Sequence, residues 1–99
     1  MSTSSKNIPP NLEKLLGEVV VVDTDSSYIF MGRLEALDEQ YLQINEVDVH
    51  DMGKSNQSKE RYIHEARKIG VRHNRKNTFV RMDRVVCISL LDDVVGFTA

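Results

Sequence analysis

Cysteine and long apolar segments are what this sequence has least of. Cys87 is the only cysteine among the 99 residues, so an internal disulfide is impossible and cysteine-rich metal sites are excluded. No apolar run reaches the roughly 20 residues of a membrane-spanning helix, and the polar start of the chain lacks the apolar segment of a signal peptide. We therefore expect a cytoplasmic protein, or a nuclear one in a eukaryote, with no membrane partner.

Groupings of residues that support catalysis or metal binding are also missing. The three histidines, His50, His64 and His73, are widely spaced and have no cysteines nearby to complete a metal site. We expect them at the surface. No glycine-rich phosphate-binding loop is present. The sequence thus predicts a protein that is not an enzyme and that uses no cofactor and no metal.

Charge is unevenly distributed along the chain, although the net charge is only −2. Residues 1–53 contain three basic and ten acidic residues, whereas residues 54–84 contain ten basic and three acidic ones. Such a basic block indicates an anionic partner, and a solvated charged helix or an interface with the acidic half of a neighbouring copy would explain it as well. The candidate basic surface consists of Arg61, Arg67, Lys68, Arg72, Arg75 and Lys76.

Five short segments rich in β-branched and aromatic residues predict a mainly β protein. They are Val19–Val22, Tyr28–Leu37, Tyr41–Val49, Thr78–Arg81 and Val85–Leu91. Gly32 inside the second segment predicts a sharp bend, and the change of apolar parity after Ile44 predicts a bulge in the third. Cys87 in the last segment is expected to be a small buried residue. Together these features predict a small, strongly bent antiparallel sheet or open barrel.

Two helices are predicted outside these strands. Asn11 begins a short helix with Leu12, Leu15 and Leu16 on one face, and Gly17 ends it. Ser58 caps a second helix to about Lys68, with Gly70 at its end, and a long irregular hairpin is the alternative. Its apolar stripe consists of Tyr62, Ile63, Ala66 and Ile69, and the polar residues 74–77 that follow are expected to form a turn.

The predicted organisation is one domain with a tail at each end. Residues 1–10 are expected to be a flexible tail, residues 11–92 the domain with a basic insertion at about 51–77, and residues 93–99 a C-terminal tail. The last strand is apolar on both faces, so pairing with the edge of a neighbouring copy would protect it and build a ring or filament. Burial by the N-terminal helix is the alternative for one of its faces.

Two sequence motifs resemble those of the Sm and Sm-like (LSm) family. Residues 16–20 (LGEVV), 28–38 (YIFMGRLEALD) and 41–44 (YLQI) are similar to the first Sm motif. Residues 80–88 (VRMDRVVCI) are similar to the second, and the likeness spans residues 11–91. The insertion falls where the family accepts insertions. The resemblance implies a helix followed by a five-stranded bent sheet and a homo-oligomeric ring of six or seven subunits.

The resemblance also implies a ribonucleoprotein role, with single-stranded RNA bound near the central hole of the ring. The candidate RNA-binding residues are Asp38, Tyr41, Arg81 and Asp83. By analogy with the family, Tyr41 stacks on a base, Arg81 packs on its other side, and Asp38 orders the loop. Alternatively, Tyr41 is a packing residue and Arg81 pairs with Asp38 or Asp83.

Two positions depart from the family pattern. Leu42 stands where the family has an asparagine that reads the base edge, and Met82 stands where it has a glycine. Leucine cannot hydrogen-bond a base, whereas stacking and charge tolerate any sequence. A ring that binds proteins, with little or no RNA binding, is therefore the alternative function.

Overall fold

The computed structural model describes residues 11–96, which form one five-stranded antiparallel sheet and one α-helix. The strands are β1 (Val19–Thr24), β2 (Tyr28–Leu37), β3 (Tyr41–Asp51), β4 (Arg75–Arg81) and β5 (Val85–Leu90), and the helix is α1 (Lys59–Ile69). Their order in the sheet is β4-β3-β2-β1-β5, so β4 and β5 are the two edges. The predicted tail at residues 1–10 and the end of the C-terminal tail, residues 97–99, lie outside the described residues.

Gly32 is the point where the sheet bends. A Cβ atom at this position would lie 2.8 Å from the Asn45 carbonyl oxygen, 2.8 Å from Ile44 Cγ2 and 2.9 Å from Val47 Cα. Only a residue without a side chain permits this close approach of β2 and β3. Opposite the bend, Glu46 has φ +48° and the pairing register shifts, which makes the bulge in β3. The predicted bend and the predicted bulge are both confirmed.

The sheet has an apolar cluster on each face. The cluster that we call inner contains Val20, Val22, Leu34, Leu42, Ile44, Val47 and Val80. The outer cluster contains Val21, Ile29, Met31, Met52, Ile63, Ala66 and Leu91. Successive side chains of a strand point to opposite faces, which is why Val21 lies in one cluster and its two neighbours in the other. Helix α1 covers the outer face through Ile63 and Ala66. As a result, apolar side chains are buried on both faces of β1 and β2.

Helix α1 begins and ends close to where the sequence indicates. Ser58 Oγ accepts a hydrogen bond from the Arg61 amide at 3.2 Å, and Gly70, at φ +97°, follows the last helical residue. Ile63 and Ala66 are buried as predicted. Ile69 is instead 63% exposed, because it lies beyond the last buried turn, where the chain leaves the helix towards β4. No helix within residues 11–96 is long and apolar enough to cross a membrane.

The predicted N-terminal helix is present only as one short turn. It is a single 3₁₀ turn, Leu12–Leu15, and the Asn11 side chain makes no capping hydrogen bond. Leu15 packs against the inner cluster, whereas Leu16 is exposed. Gly17 has φ +84° and ends the turn, as expected.

The other differences from prediction concern the edge strands. Residues 75–77 are part of β4 and not a turn, because Arg75 and Asn77 pair with Val47 and Asn45 across the sheet. Cross-strand pairing here prevails over the turn preference of asparagine. Cys87 is exposed and not buried, since β5 is an edge strand and nothing in the described part of the chain covers that side.

Candidate nucleic-acid interface

The turn between β2 and β3 is organised by Asp38. Its Oδ1 atom accepts hydrogen bonds from the amides of Gln40 and Tyr41, both at 2.8 Å, and its own amide donates to the Tyr41 carbonyl at 3.0 Å. An aspartate side chain that binds amides two and three residues ahead fixes the backbone of a tight turn. The carboxylate of Asp38 therefore determines how Tyr41 is presented at the start of β3.

This turn is joined to the turn between β4 and β5. The Met82 amide donates to the Gln40 carbonyl at 2.8 Å, and Tyr41 and Arg81 are directly opposite each other in the register of β3 and β4. Opposed residues of an antiparallel pair have Cβ atoms about 5 Å apart and on the same face. The two turns thus bring Tyr41 and Arg81, which are far apart in sequence, side by side.

A cavity of about 250 Å³ opens at this junction. It is lined by Glu39, Gln40, Tyr41, Arg81 and Asp83. Pockets for drug-sized ligands are roughly 300–1,000 Å³, so this cavity suits a single flat group better than a larger molecule. We refer to it as the Tyr41–Arg81 cleft.

A second exposed aromatic residue, Phe79, lies beside the cleft next to Tyr41. Tyr41 is 43% exposed, and its ring lies edge-on to that of Phe79, with centroids 6.3 Å apart. Phe79 is 60% exposed and shares a strand face with Arg81. The alternation of β4 could have identified Phe79 from its position two residues before Arg81. Gln40, also missed, adds an amide that no periodic pattern marks.

Arg81 pairs with Asp83 in this structure, with Nη2 and Oδ2 2.7 Å apart and both side chains more than 60% exposed. Exposed ion pairs contribute about 0–1 kcal/mol, so the guanidinium can leave Asp83 at little cost. Arg84 is held in the same way, by both carboxylate oxygens of Asp25 at 2.8 and 3.0 Å. Of the two acids considered as partners of Arg81, the structure selects Asp83.

The two positions that depart from the Sm motifs contribute to packing. Leu42 is fully buried in the inner cluster and cannot contact a ligand. Met82 packs against the same cluster from a 3₁₀ turn, Met82–Arg84. Within residues 11–96 only Glu46, Gly17 and Gly70 have a positive φ, so this turn does not require the glycine that the family has there.

The six residues of the basic surface are all exposed, but they lie away from the cleft. Tyr41 is the first residue of β3 and Asp51 is the last, so the insertion begins about 30 Å from the cleft along the strand. Arg61, Arg67 and Lys68 lie on α1, and Arg75 begins β4, about 20 Å from Arg81. The structure therefore separates the predicted site residues into two groups at opposite ends of β3 and β4.

Polar contacts of two side chains of α1 help to fix the insertion to the sheet. Lys59 Nζ lies 2.6 Å from Asp23 Oδ1 and donates to the Ser26 carbonyl at 3.0 Å. The Tyr62 hydroxyl donates to Asp48, a carboxylate on β3 that is only 4% exposed. Burial, followed by the hydrogen bond to Asp48 and the negative charge of Asp48, raises the pKa of Tyr62 above its usual range.

The histidines do not form a site. His50 stacks on Tyr62 with centroids 4.3 Å apart and is half-buried, as is His64 on α1, and only His73 is fully at the surface as predicted. In the described part of the chain, no three histidine, cysteine, aspartate or glutamate side chains are grouped so that they could hold a metal ion.

A five-stranded, strongly bent antiparallel sheet that stays open between its first and last strands in the sheet order is the Sm-like fold. Solved structures show the same architecture. An Sm protein of Pyrococcus abyssii, solved in complex with a uridine heptamer, is 18% identical with a TM-score of 0.58, over 84% of this chain and 97% of that one. An Sm-like protein of Archaeoglobus fulgidus is 16% identical with a TM-score of 0.55, over 84% and 95%.

A third similar structure comes from a different assembly. A chain of the NatC complex, solved with CoA bound, is 22% identical with a TM-score of 0.53, over 83% of this chain and 84% of that one. No family model and no curated protein matches the sequence. At these identities the likeness establishes the fold, and the function has to be argued from the site.

Proposed function

We propose that this protein is a non-catalytic RNA-binding protein that assembles into a homo-oligomeric Sm-like ring and binds single-stranded RNA in the Tyr41–Arg81 cleft. The observation that carries the proposal is the cleft itself, where an exposed tyrosine and an exposed arginine lie side by side. Aromatic rings and guanidinium planes are the groups on which unpaired bases stack. The complex of the Pyrococcus Sm protein with a uridine heptamer supports the same choice of ligand.

Binding would proceed by insertion of one base between Tyr41 and Arg81. The guanidinium would leave Asp83 and take up the base on one side, while Tyr41, supported by Phe79, stacks on the other. Stacking on an aromatic side chain contributes about 1–3 kcal/mol per base. Because Leu42 is buried, no side chain at that position reads the base edge, and we expect weak base selectivity.

The free edges of the sheet support assembly into a ring. Strands β4 and β5 end the sheet, and exposed apolar residues lie on both, including Phe79 on β4 and Val86 on β5. Pairing of the β5 edge of one subunit with the β4 edge of the next satisfies both rows of backbone groups and covers Cys87. Repetition of this contact closes a ring of six or seven copies and places the clefts around one opening.

The test compares two tyrosines with similar exposure, of which only Tyr41 lines the cleft. Tyr28 and Tyr41 are each the first residue of a strand, are 41% and 43% exposed, and have an aromatic neighbour with centroids 6.3 Å apart. We expect Tyr41→Ala to weaken the binding of fluorescein-labelled oligo-U and oligo-A about 5–150-fold in fluorescence anisotropy, and Tyr28→Ala to have little effect. Native mass spectrometry of the same samples gives the number of subunits.

A matched pair of arginines extends the test. Arg81 and Arg84 are both exposed and both paired with a carboxylate, but only Arg81 lines the cleft. Arg81→Gln should weaken RNA binding more than Arg84→Gln, and the affinity of the wild-type protein should fall as salt rises. Absence of binding to any single strand at low salt would contradict the proposal.

The second candidate is a protein-binding ring that has little or no affinity for RNA. The likeness to a chain of the NatC complex favours it, since that chain belongs to a protein assembly. The buried Leu42 is consistent with it as well. Under this function, Tyr41→Ala and Arg81→Gln would leave RNA binding as weak as it is in the wild type.

A further inference from the structure

Unpaired positive charge is concentrated at the insertion. Within residues 11–96, the basic residues that form ion pairs are Arg33, Lys59, Arg81 and Arg84. None of the six residues of the basic surface has a carboxylate partner in this part of the chain. Arg67 and Arg75 donate only to backbone carbonyls, those of Asp92 and Asn74, at 3.3 Å. Charge left uncompensated by the protein itself is available to an external anion.

Three of the six basic residues lie on a helix that is fixed to the sheet. Helix α1 is packed on the outer cluster through Ile63 and Ala66 and is tied to the sheet through Lys59 and Tyr62. Arg61 and Lys68, two turns apart on the helix and so about 10 Å along its axis, both line a surface cavity of about 400 Å³, together with the single acid Glu65. A fixed array of cations binds phosphates with less loss of conformational entropy than a flexible tail would.

The two ends of the sheet differ in the chemistry that they offer to a nucleic acid. The Tyr41–Arg81 cleft has an exposed tyrosine with the exposed ring of Phe79 beside it. Within α1 and residues 70–76, by contrast, no phenylalanine, tyrosine or tryptophan is fully exposed, since Tyr62 is half-buried against His50. Single strands are held largely by stacking on aromatic side chains. Duplex RNA offers no accessible base faces and is recognised through its phosphates and its shape.

We infer that the insertion end, made of α1 and residues 70–76, binds the phosphate backbone of double-helical RNA. The strand ends next to this surface, Asp51 and Arg75, lie about 30 and 20 Å along the strands from the Tyr41–Arg81 cleft, a distance that one structured RNA bridges with a stem at one end and a single-stranded tail at the other. The inference extends the proposed function but does not depend on it, because the two surfaces share no residue.

The test uses a blunt RNA duplex of about 16 base pairs and the full chain, with anisotropy measured across a salt series. Arg61→Gln with Lys68→Gln removes two exposed cations from α1 and keeps good helix formers. We expect the affinity for the duplex to fall about tenfold at low salt and the slope of log K against log salt to become shallower by about two. Glu60→Gln with Glu65→Gln removes two exposed acids from the same helix and should tighten binding.

The same experiment separates this inference from the proposed function. Tyr41→Ala should weaken single-strand binding and leave the affinity for the duplex unchanged. Arg61→Gln with Lys68→Gln should weaken binding of the duplex. Failure of the wild type to bind the duplex, or equal affinities of the two α1 variants, would overturn the inference. Association of one oligomeric ring with another would also overturn it, if that association weakens with salt and is abolished only by Arg61→Gln with Lys68→Gln. The partner of the basic surface would then be the acidic half of another copy of the chain.

Discussion

The hydrogen bond between Tyr62 and Asp48 allows the attachment of the insertion to be tested. Asp48 is 4% exposed, and its carboxylate accepts a hydrogen bond from the Tyr62 hydroxyl and a longer one from Asn74 Nδ2 at 3.4 Å. Tyr62→Phe removes the better donor and leaves a buried charge with only the weaker one. A buried polar group that loses its partner costs about 1–3 kcal/mol, and more when it is charged.

The expected loss of stability is large for a domain of this size. At about 4–8 °C per kcal/mol, Tyr62→Phe should lower the melting temperature by about 5–20 °C. Circular dichroism during thermal and urea unfolding, at equal protein concentration, measures the effect. Tyr28→Phe is the matched control, because the Tyr28 hydroxyl is exposed and has no hydrogen bond within residues 11–96. The control should stay within about 0.5 kcal/mol of the wild type.

A double-mutant cycle assigns the loss to the pair itself. Asp48→Asn removes the charge, so Tyr62→Phe should cost less in that background, with a coupling energy of about 0.5–3 kcal/mol. Equal melting temperatures for Tyr62→Phe and Tyr28→Phe, or a coupling energy of zero, would refute the reasoning. The insertion would then be held by its apolar packing and by its other polar contacts, such as that of Lys59 with Asp23.

Three further predictions follow from single contacts. Gly32→Ala should destabilise the protein by about 1–3 kcal/mol in urea unfolding, because the new Cβ would meet two backbone atoms and Ile44 Cγ2 within 3 Å, and an unchanged midpoint would contradict this. Asp38→Ala should weaken single-strand binding by loosening the turn before Tyr41, whereas Asp38→Asn keeps an acceptor for both amides and should retain most of the affinity; equal losses in anisotropy would argue against the turn's role. Stability should fall as pH rises above about 10, because the unfolded state then loses the Tyr62 proton while the raised pKa of the folded state retains it. Urea midpoints of Tyr62→Phe should show a weaker decline over the same range, and parallel curves for the two proteins would count against this assignment.

The sequence predicted the fold well because the features that determine it are local. Gly32 within an apolar strand marked the bend, the change in parity after Ile44 marked the bulge, and Ser58 and Gly70 marked the ends of α1. Each of these features reflects a steric or hydrogen-bonding requirement of a few neighbouring residues. Such requirements can be recognised without knowledge of the rest of the chain.

Features that depend on distant partners were predicted less well. The polar residues 75–77 form a strand because β3 pairs with them, and Cys87 is exposed because β5 lies at an edge of the sheet. The separation of the basic surface from the cleft could not be recognised from positions along the chain alone. It arises because β3 and β4 run in opposite directions, so that the insertion lies at the far end of both strands from Tyr41 and Arg81.

The most direct test of the central claim is whether a base stacks in the Tyr41–Arg81 cleft. A short single-stranded RNA carrying a fluorescent purine analogue, whose emission is quenched by stacking, is titrated with the wild-type protein, Tyr41→Ala and Tyr28→Ala. We expect quenching with the wild type and with Tyr28→Ala, and its loss with Tyr41→Ala even at concentrations where anisotropy shows the RNA to be bound. Unquenched emission on saturation with the wild type, or quenching that survives Tyr41→Ala, would contradict base stacking on Tyr41.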